Sequence, residues 1–400
     1  MTSGKHKIKD IGLSDAGKDR VDWARANMPI LRALKERLAK EQPFKGHKIG
    51  ICLHVEAKTG VWLDTLMAGG ARIAITGSPG TTQDDTAAYL VRDMGVEVFA
   101  WRDETFAEHM ENAERVLDAR PSLIADNGGD LHYLLSSQDK FRELSRSLQG
   151  ATEETTTGAN RLRETLPSFT FPTIIINDTM AKRIVENRYG VGISVVDGIM
   201  RTTNIMLGGK AVLVIGYGYC GQGVAQRLRG LGARVTVVDH EPMVQLEAHL
   251  EGFNTGTLEA CIGGADIIVT VTGRDGVLQP DHYKQMRDGV IVCNAGQNAS
   301  ELSAIELYDM AQDVRILRPD IEQLTLDGGK KIFLLARGNL INLAGGDGNP
   351  IEVMDLGLAL QTLSLECLAL RSETLECKPQ TVPQDIERAT TRAALEAWVG

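Results

Sequence analysis

The chain has 400 residues, of which 43% are hydrophobic and 24% are charged, an ordinary composition for a globular protein. This length exceeds what one compact core usually holds, so we expect two or three domains. The 43 Lys and Arg residues against 53 Asp and Glu residues give a net charge of −10. This charge argues against nucleic-acid binding, which needs a basic face to displace counterions.

Membrane, secreted and metal-binding classes are also disfavoured. No uncharged apolar run approaches the roughly 20 residues of a membrane span, and the first ten residues have no apolar core of a signal peptide. The six cysteines are scattered without a CxxC pair, which is typical of reduced, buried thiols. Asp64, Asp84 and Asp85 suggest a site for a divalent metal ion. We expect instead that Asp84 and Asp85 begin a helix capped by Thr81 and Thr82. The sequence therefore predicts a cytoplasmic protein without a metal ion.

Apolar runs of strand length alternate along the chain with helical patterns such as Thr81–Met94 and Glu104–Leu117. The runs are apolar almost throughout, which is typical of strands buried on both faces of a parallel sheet. The predicted strands are Lys48–Val55, Ala71–Thr76, Val96–Trp101, Ser122–Ala125 and Thr173–Ile176, and then Ala211–Ile215, Arg234–Val238, Ile267–Val271, Val290–Cys293 and Lys331–Leu335. These two series predict two α/β domains with a junction between Asn177 and Ser194. Pro379–Gly400 is predicted to be a polar connector and a short terminal helix.

The strongest local motif is Gly216-x-Gly218-x-x-Gly221, which follows a predicted strand and opens a predicted helix. In this context the three glycines allow a tight turn, close approach of a pyrophosphate, and close packing of helix on strand. Asp239 ends the next strand, 23 residues after Gly216, where a carboxylate would accept hydrogen bonds from the adenosine ribose. The motif predicts a dinucleotide site that prefers NAD to NADP, because Asp239 would repel a 2′-phosphate.

Several longer segments, in order along the chain, resemble the S-adenosylhomocysteine hydrolase family. They include Asn177-Asp-Thr-Met-Ala-Lys182, Glu153-Glu-Thr-Thr-Thr-Gly158, Leu53-His54, Thr82-Gln-Asp-Asp85, Gly128-Gly129-Asp130 and Asp197-Gly198-Ile-Met-Arg201. Glu56-Ala-Lys58-Thr59 and the ending Leu395-Glu-Ala-Trp398 resemble the archaeal-type branch. The resemblance implies two Rossmann-like doubly wound domains: a substrate domain over residues 1–190, an NAD domain over 191–347, and a return to the substrate domain over 348–400. It also implies a homotetramer with tightly bound NAD.

The family's reaction, and the roles it assigns to residues, follow from the same resemblance. Oxidation of the 3′-hydroxyl of a nucleoside acidifies the C4′ proton, whose loss expels the 5′ substituent before water adds and the hydride returns. The implied catalytic residues are His54, Asn127, Glu154, Asn177, Lys182 and Glu186. The implied cofactor contacts, besides the glycine motif and Asp239, are Thr155, Thr156, Thr157, Asn187, Asn294 and Asn342. The implied substrate contacts are Glu56, Lys58, Thr59, Gln297 and Asn349. Glu56 and Lys58 lie where the family reads the edge of the base, and adenine and hypoxanthine both stay open.

The sequence also departs from the family pattern at polar positions. Asn127 replaces a carboxylate, Glu186 replaces an aspartate, and Gln297 and Asn349 replace histidines. Amides cannot shuttle protons. We therefore expect a divergent nucleoside dehydratase or lyase of the nucleoside-antibiotic type, which stops after elimination at the 5′ position. The alternatives are a true hydrolase of S-adenosylhomocysteine or S-inosylhomocysteine, and a non-catalytic NAD-binding regulatory homologue. The expected partner is a small purine nucleoside or nucleoside thioether.

Overall fold

The computed structural model describes residues 6–164, 170–296 and 299–399. Its strands are Lys48–Cys52 (β1), Arg72–Thr76 (β2), Glu97–Phe99 (β3), Leu123–Asp126 (β4), Gly150–Glu153 (β5), Thr173–Ile175 (β6), Ala211–Ile215 (β7), Arg234–Val238 (β8), Asn254–Thr255 (β9), Ile267–Thr270 (β10), Val290–Asn294 (β11), Asp313–Arg318 (β12), Ile321–Thr325 (β13), Lys331–Leu335 (β14) and Pro379–Thr381 (β15). Its α-helices are Ser14–Ala26 (α1), Pro29–Glu41 (α2), Ala57–Ala68 (α3), Asp84–Arg92 (α4), Phe106–Asp118 (α5), Asp130–Ser137 (α6), Arg142–Ser147 (α7), Thr156–Glu164 (α8), Val191–Thr203 (α9), Tyr219–Gly230 (α10), Pro242–Leu250 (α11), Leu258–Cys261 (α12), Pro280–Gln285 (α13), Ala304–Met310 (α14), Ile341–Ala344 (α15), Ile351–Arg371 (α16) and Gln384–Val399 (α17). Lys182–Gly190 is a π-helical segment.

The chain divides into two compact units, which we call unit 1 (residues 6–182 and 351–399) and unit 2 (residues 183–350). The sheet of unit 1 has the order β15-β6-β5-β4-β1-β2-β3, and all of its neighbouring strands are parallel. The strand order reverses at β1 and β4. In open parallel sheets, ligands bind at the carboxyl ends of the strands at such a switch point. In unit 1 this point lies at Leu53–Val55 and Asn127–Gly129.

The sheet of unit 2 has the order β12-β13-β14-β11-β10-β7-β8-β9, with its reversal at β7 and β10. Successive residues of β7 contribute to two separate hydrophobic clusters: Val212 and Val214 pack in one, Leu213 and Ile215 in the other. Side chains of consecutive strand residues point to opposite faces, so both faces of this sheet are covered. The prediction of doubly wound sheets, including the return of the chain into unit 1 after residue 350, is confirmed.

Some local predictions were wrong or incomplete. Thr81 and Thr82 do not cap α4, because the residue at its N-cap position is Gln83, with no side-chain cap among the described residues, and the Thr81 hydroxyl donates elsewhere. Pro379–Thr381, predicted as a connector, pairs in parallel with β6 as the edge strand β15. The terminal helix is 16 residues long rather than short. The edge pair β12 and β13, which is antiparallel, had no counterpart in the predicted strands.

Helix α16 is the apolar centre of unit 1. By length and composition alone the stretch Ile351–Thr374 could cross a membrane, but most of it is buried inside the protein. Its polar residues make internal hydrogen bonds: Asp355 accepts from the amides of Ile30 and Leu31 at 2.8 Å, and Thr362 accepts from the Trp62 indole at 3.0 Å. These contacts are those of a core helix.

Candidate active site

His54 follows β1 at the switch point of unit 1. Its Nδ1 lies 2.9 Å from Oγ1 of Thr81. Desolvation of the ring, with the positive charges of Lys182 and Lys58, lowers the pKa of His54 to about 4. The imidazole is therefore neutral at pH 7, with one of its two ring nitrogens unprotonated.

Glu56 and Lys58 form a buried ion pair at the start of α3. The Lys58 Nζ lies 2.9 Å from Oε2 of Glu56, and the same carboxylate accepts from the Lys58 amide at 3.1 Å as the N-cap of the helix. Both side chains are about 95% buried. Thr59 donates its hydroxyl to the His54 carbonyl at 2.7 Å, so it fixes the turn that carries the histidine.

Glu154 is the centre of a buried polar group in unit 1. Its Oε2 accepts from Asn127 Nδ2 at 3.2 Å and from Gln361 Nε2 at 3.2 Å, and its Oε1 lies 3.8 Å from the Lys182 ammonium. Glu154 and Lys182 are 2% and 5% exposed, so their charges face each other with little water between them. A carboxylate at position 127 would repel Glu154 here, whereas the amide of Asn127 donates to it.

The threonines after β5 have different contacts. Thr155 donates to Glu153 at 2.8 Å and accepts from the Gly158 amide at 2.9 Å, so its hydroxyl holds the start of α8. Thr156 donates to Oδ1 of Asn177 at 3.0 Å. Thr157 is half-buried. Cofactor contacts by these three hydroxyls stay predictions.

Sequence reasoning missed the groups that support this site. Glu153 is fully buried, and its Oε1 accepts from the amides of Gly128 and Thr155, which joins the two loops that carry Asn127 and Glu154. Burial raises the pKa of Glu153 well above its usual range. Gln361 was detectable, since it is a lone amide in the apolar sequence of α16. Glu153 stands in a segment that resembles the family but was given no role, and Thr81 was considered only as a helix cap.

In unit 2 the glycine motif has the conformation that a pyrophosphate site requires. Gly216 has φ of +105°, and a Cβ on Gly221 would lie 2.1 Å from the Gly216 carbonyl oxygen. A Cβ on Gly218, by contrast, would have no described atom within 4 Å. The space above Gly218 and the amino end of α10 therefore form a cradle that fits an anionic diphosphate.

The other predicted cofactor residues of unit 2 differ in how their side chains are used. Asp239 accepts from the Tyr217 amide at 2.7 Å and from the Glu241 amide at 3.0 Å, which orients its carboxylate beside the glycine turn. Asn342 is buried, and its Oδ1 has no partner in the described part of the chain, as a residue that accepts from a ligand amide would. Asn294 donates to the Gly296 and Gly338 carbonyls and accepts from the Gly296 amide, so its side chain holds the loop.

The remaining predicted site residues are Glu186, Asn187, Gln297 and Asn349. Ser194 links two of them, since it donates to Asn349 at 2.9 Å and accepts from Asn342 at 3.3 Å. Glu186 and Asn187 are buried on the π-helical segment, a geometry that is frequent at functional sites. Gln297 lies outside the described residues.

Two known protein families match most of the chain. The family described as "S-adenosyl-L-homocysteine hydrolase, NAD binding domain" matches residues 187–348. The family described as "S-adenosyl-L-homocysteine hydrolase" matches residues 5–140. The cradle, Asp239 and Asn342 fit the dinucleotide, so unit 2 contains an NAD-binding domain and NAD is the cofactor.

Curated relatives match nearly the whole chain. The S-inosyl-L-homocysteine hydrolases of Methanopyrus kandleri and Methanocaldococcus jannaschii are 43% and 42% identical, over 99% and 98% of this chain and 94% of each relative. The adenosylhomocysteinase of Sulfurisphaera tokodaii is 41% identical over 98% of this chain and 94% of its own length. The chain belongs to the S-adenosyl-L-homocysteine hydrolase family.

Proposed function

We propose that this protein hydrolyses the thioether bond of S-inosyl-L-homocysteine or S-adenosyl-L-homocysteine, releasing a purine nucleoside and L-homocysteine. The observation that carries the proposal is the buried contact of Lys182 with Glu154, in the same unit as a neutral His54. The near-complete alignment with relatives named for these two hydrolyses supports it. These comparisons favour the hydrolase over the dehydratase that the substitutions led us to expect.

Each described residue of the site has a chemical task in this reaction. Lys182, in its neutral amine form, takes the proton of the 3′-hydroxyl, and Glu154 and Asn177 hold the ribose hydroxyls. Bound NAD would supply the transient oxidation of the sugar, which leaves no net redox change. His54 accepts a proton at C5′ when water adds there. The hydrogen bond from Asn127 to Glu154 explains why an amide is tolerated at position 127. The amide orients the Glu154 carboxylate and does not need to transfer a proton.

We assign recognition of the base to the Glu56–Lys58 pair. Its ammonium donates hydrogen bonds and its carboxylate accepts them. Hypoxanthine offers O6 to the lysine and N1–H to the glutamate, whereas adenine offers N1 to the lysine and its amino group to the glutamate. The pair is therefore complementary to both bases. Steady-state kinetics with both thioethers measures which base the protein prefers.

The direct test is to incubate the NAD-loaded protein with each thioether and to measure the released thiol and nucleoside. We expect turnover of at least one of them in the ordinary enzymatic range of about 1–10³ s⁻¹. Absence of thiol with both, together with formation of an unsaturated nucleoside from a free purine nucleoside, would establish the dehydratase instead. We further propose a cytoplasmic homotetramer, and light scattering of the purified protein tests its subunit number.

Lys58→Met should raise KM for the nucleoside thioether by about 10–100-fold while kcat changes little. The loss of a hydrogen bond from a buried charged donor is worth about 1.5–3 kcal/mol, and the base is remote from the bonds that break. Steady-state kinetics with both substrates measures the effect, and Lys45→Met, at an exposed lysine, is the matched control. A fall in kcat with unchanged KM would contradict the assignment.

A further inference from the structure

The hydroxyl of Thr81 lies in a short chain of hydrogen bonds that ends on His54. Thr81 Oγ1 lies 2.8 Å from the Ser78 carbonyl oxygen and 2.9 Å from His54 Nδ1. Thr81 is 3% exposed, so water does not compete freely for either contact. The backbone amide of Thr81 also donates to the same carbonyl at 3.2 Å, which closes the turn and fixes the position of the hydroxyl.

The distances assign the protons in this chain. A carbonyl oxygen has no hydrogen, so an oxygen–oxygen separation of 2.8 Å requires that the hydroxyl proton of Thr81 point at Ser78. The hydroxyl has one proton only. Its oxygen therefore offers a lone pair to His54, and Nδ1 of the histidine must carry the proton in the contact between them.

We propose that Thr81 is a positioning residue that holds His54 in the tautomer protonated at Nδ1, which leaves the Nε2 lone pair to receive a proton at the reacting centre. The inference rests on the proposed function and specifies the direction of proton transfer. In the portion of the chain that the structure describes, no protein group is hydrogen bonded to Nε2. The nitrogen is thus left to accept from the substrate or from water.

This arrangement gives the proton a complete path. A neutral ring with a free Nε2 lone pair cannot protonate the departing sulfur, so homocysteine leaves as the thiolate. When water adds to C5′, its oxygen forms the new carbon–oxygen bond and one of its protons passes to Nε2. The imidazolium then gives this proton to the thiolate, and His54 returns to its starting tautomer. The proton removed from C4′ before the elimination returns to C4′ as water adds, so the sum is the hydrolysis of the carbon–sulfur bond by one water.

The tautomer can be observed without substrate. In protein labelled with ¹⁵N-histidine, multiple-bond proton–nitrogen correlation distinguishes a protonated nitrogen from an unprotonated one, and the signals of His54 are those lost in His54→Gln. We expect the wild-type protein and Thr81→Ser to show the proton on Nδ1. We expect Thr81→Val, which keeps the shape but lacks the hydroxyl, to lose this preference. Thr82→Val is the matched control, because the Thr82 hydroxyl is buried without a partner in the described ranges.

Kinetics then tests the catalytic consequence. We expect Thr81→Val to lower kcat by about 10–100-fold, with little change in KM, because loss of positioning should cost no more than the lower end of the 10²–10⁴-fold range of general acid–base effects. Thr81→Ser and Thr82→Val should stay near the wild type. A wild-type proton on Nε2 would overturn the proposal even if Thr81→Val fails to fold, and so would a Thr81→Val protein with an altered tautomer but full kcat. A protein that cleaves neither thioether would refute the proposed function and leave the tautomer readable.

Discussion

Lys182→Met is expected to lower the turnover of the nucleoside thioether by about 10³-fold, within the range of general acid–base catalysis. Methionine is close to lysine in size and leaves no base for the 3′-hydroxyl proton. Nζ of Lys182 lies 3.8 Å from Oε1 of Glu154, and the side chain is almost fully buried. Steady-state kinetics measures the loss, with Lys45→Met as the control for removal of a lysine from the same unit.

The same substitution has a second consequence that does not depend on turnover. The positive charge of Lys182 is, after desolvation, the largest contribution to the low pKa of His54. Removing a positive charge favours the imidazolium, so the pKa of His54 should rise above about 4 in Lys182→Met. Proton NMR titration of the histidine ring checks this shift. A variant that keeps more than a tenth of the wild-type turnover would show that another group takes the hydroxyl proton.

Gly218→Val is expected to weaken NAD binding by at least about 100-fold without unfolding the protein. Position 218 has φ of −64° and ψ of −175°, which a valine adopts without strain. A Cβ there meets no described protein atom within 4 Å, so the added methyl groups would occupy the space that the pyrophosphate needs. The substitution thus separates loss of the cofactor from loss of the fold.

Calorimetric titration with NAD measures the affinity, and thermal unfolding measures how much bound NAD stabilises the fold. A ligand present at 100 times its Kd stabilises a protein by about 2.7 kcal/mol, so NAD should raise the Tm of the wild type and not that of Gly218→Val. The control is Gly230→Val at the other end of α10, where the structure likewise has no described atom within 4 Å of the added Cβ. Equal NAD affinities of the two variants would place the pyrophosphate elsewhere.

The strands that the sequence predicts are mostly central in their sheets, and most of those that it does not predict lie at or next to sheet edges. β1, β7 and β10 are central and buried on both faces, so their composition alone indicates them. β15 and β12 lie at sheet edges, where partner strands rather than apolar runs define them. Gly150–Glu153 is fully buried but contains one large polar residue and one glycine in four, so its pattern is not that of a strand.

The candidate site was predictable as a set of residues but not as a set of contacts. The resemblance placed Lys182, Glu154 and Asn127 at family positions, and the structure brings the three together. It could not show that the amide of Asn127 is bound to Glu154, because the two residues are 27 positions apart and meet only through the parallel pairing of β4 and β5. The dehydratase was expected from Asn127 without knowledge of this hydrogen bond, which gives the amide a role that needs no proton transfer.

The replacement of an acid by Asn127 also affects the range of conditions in which the enzyme can work. An amide has the same charge at every pH, so Asn127 donates to Glu154 without ionising itself, whereas an acid at this position would lose its proton as the pH rises. A pair of adjacent carboxylates titrates in two steps and retains a proton in mildly acidic solution. Asn127→Asp should therefore introduce a pH dependence of the rate that the wild-type amide cannot contribute.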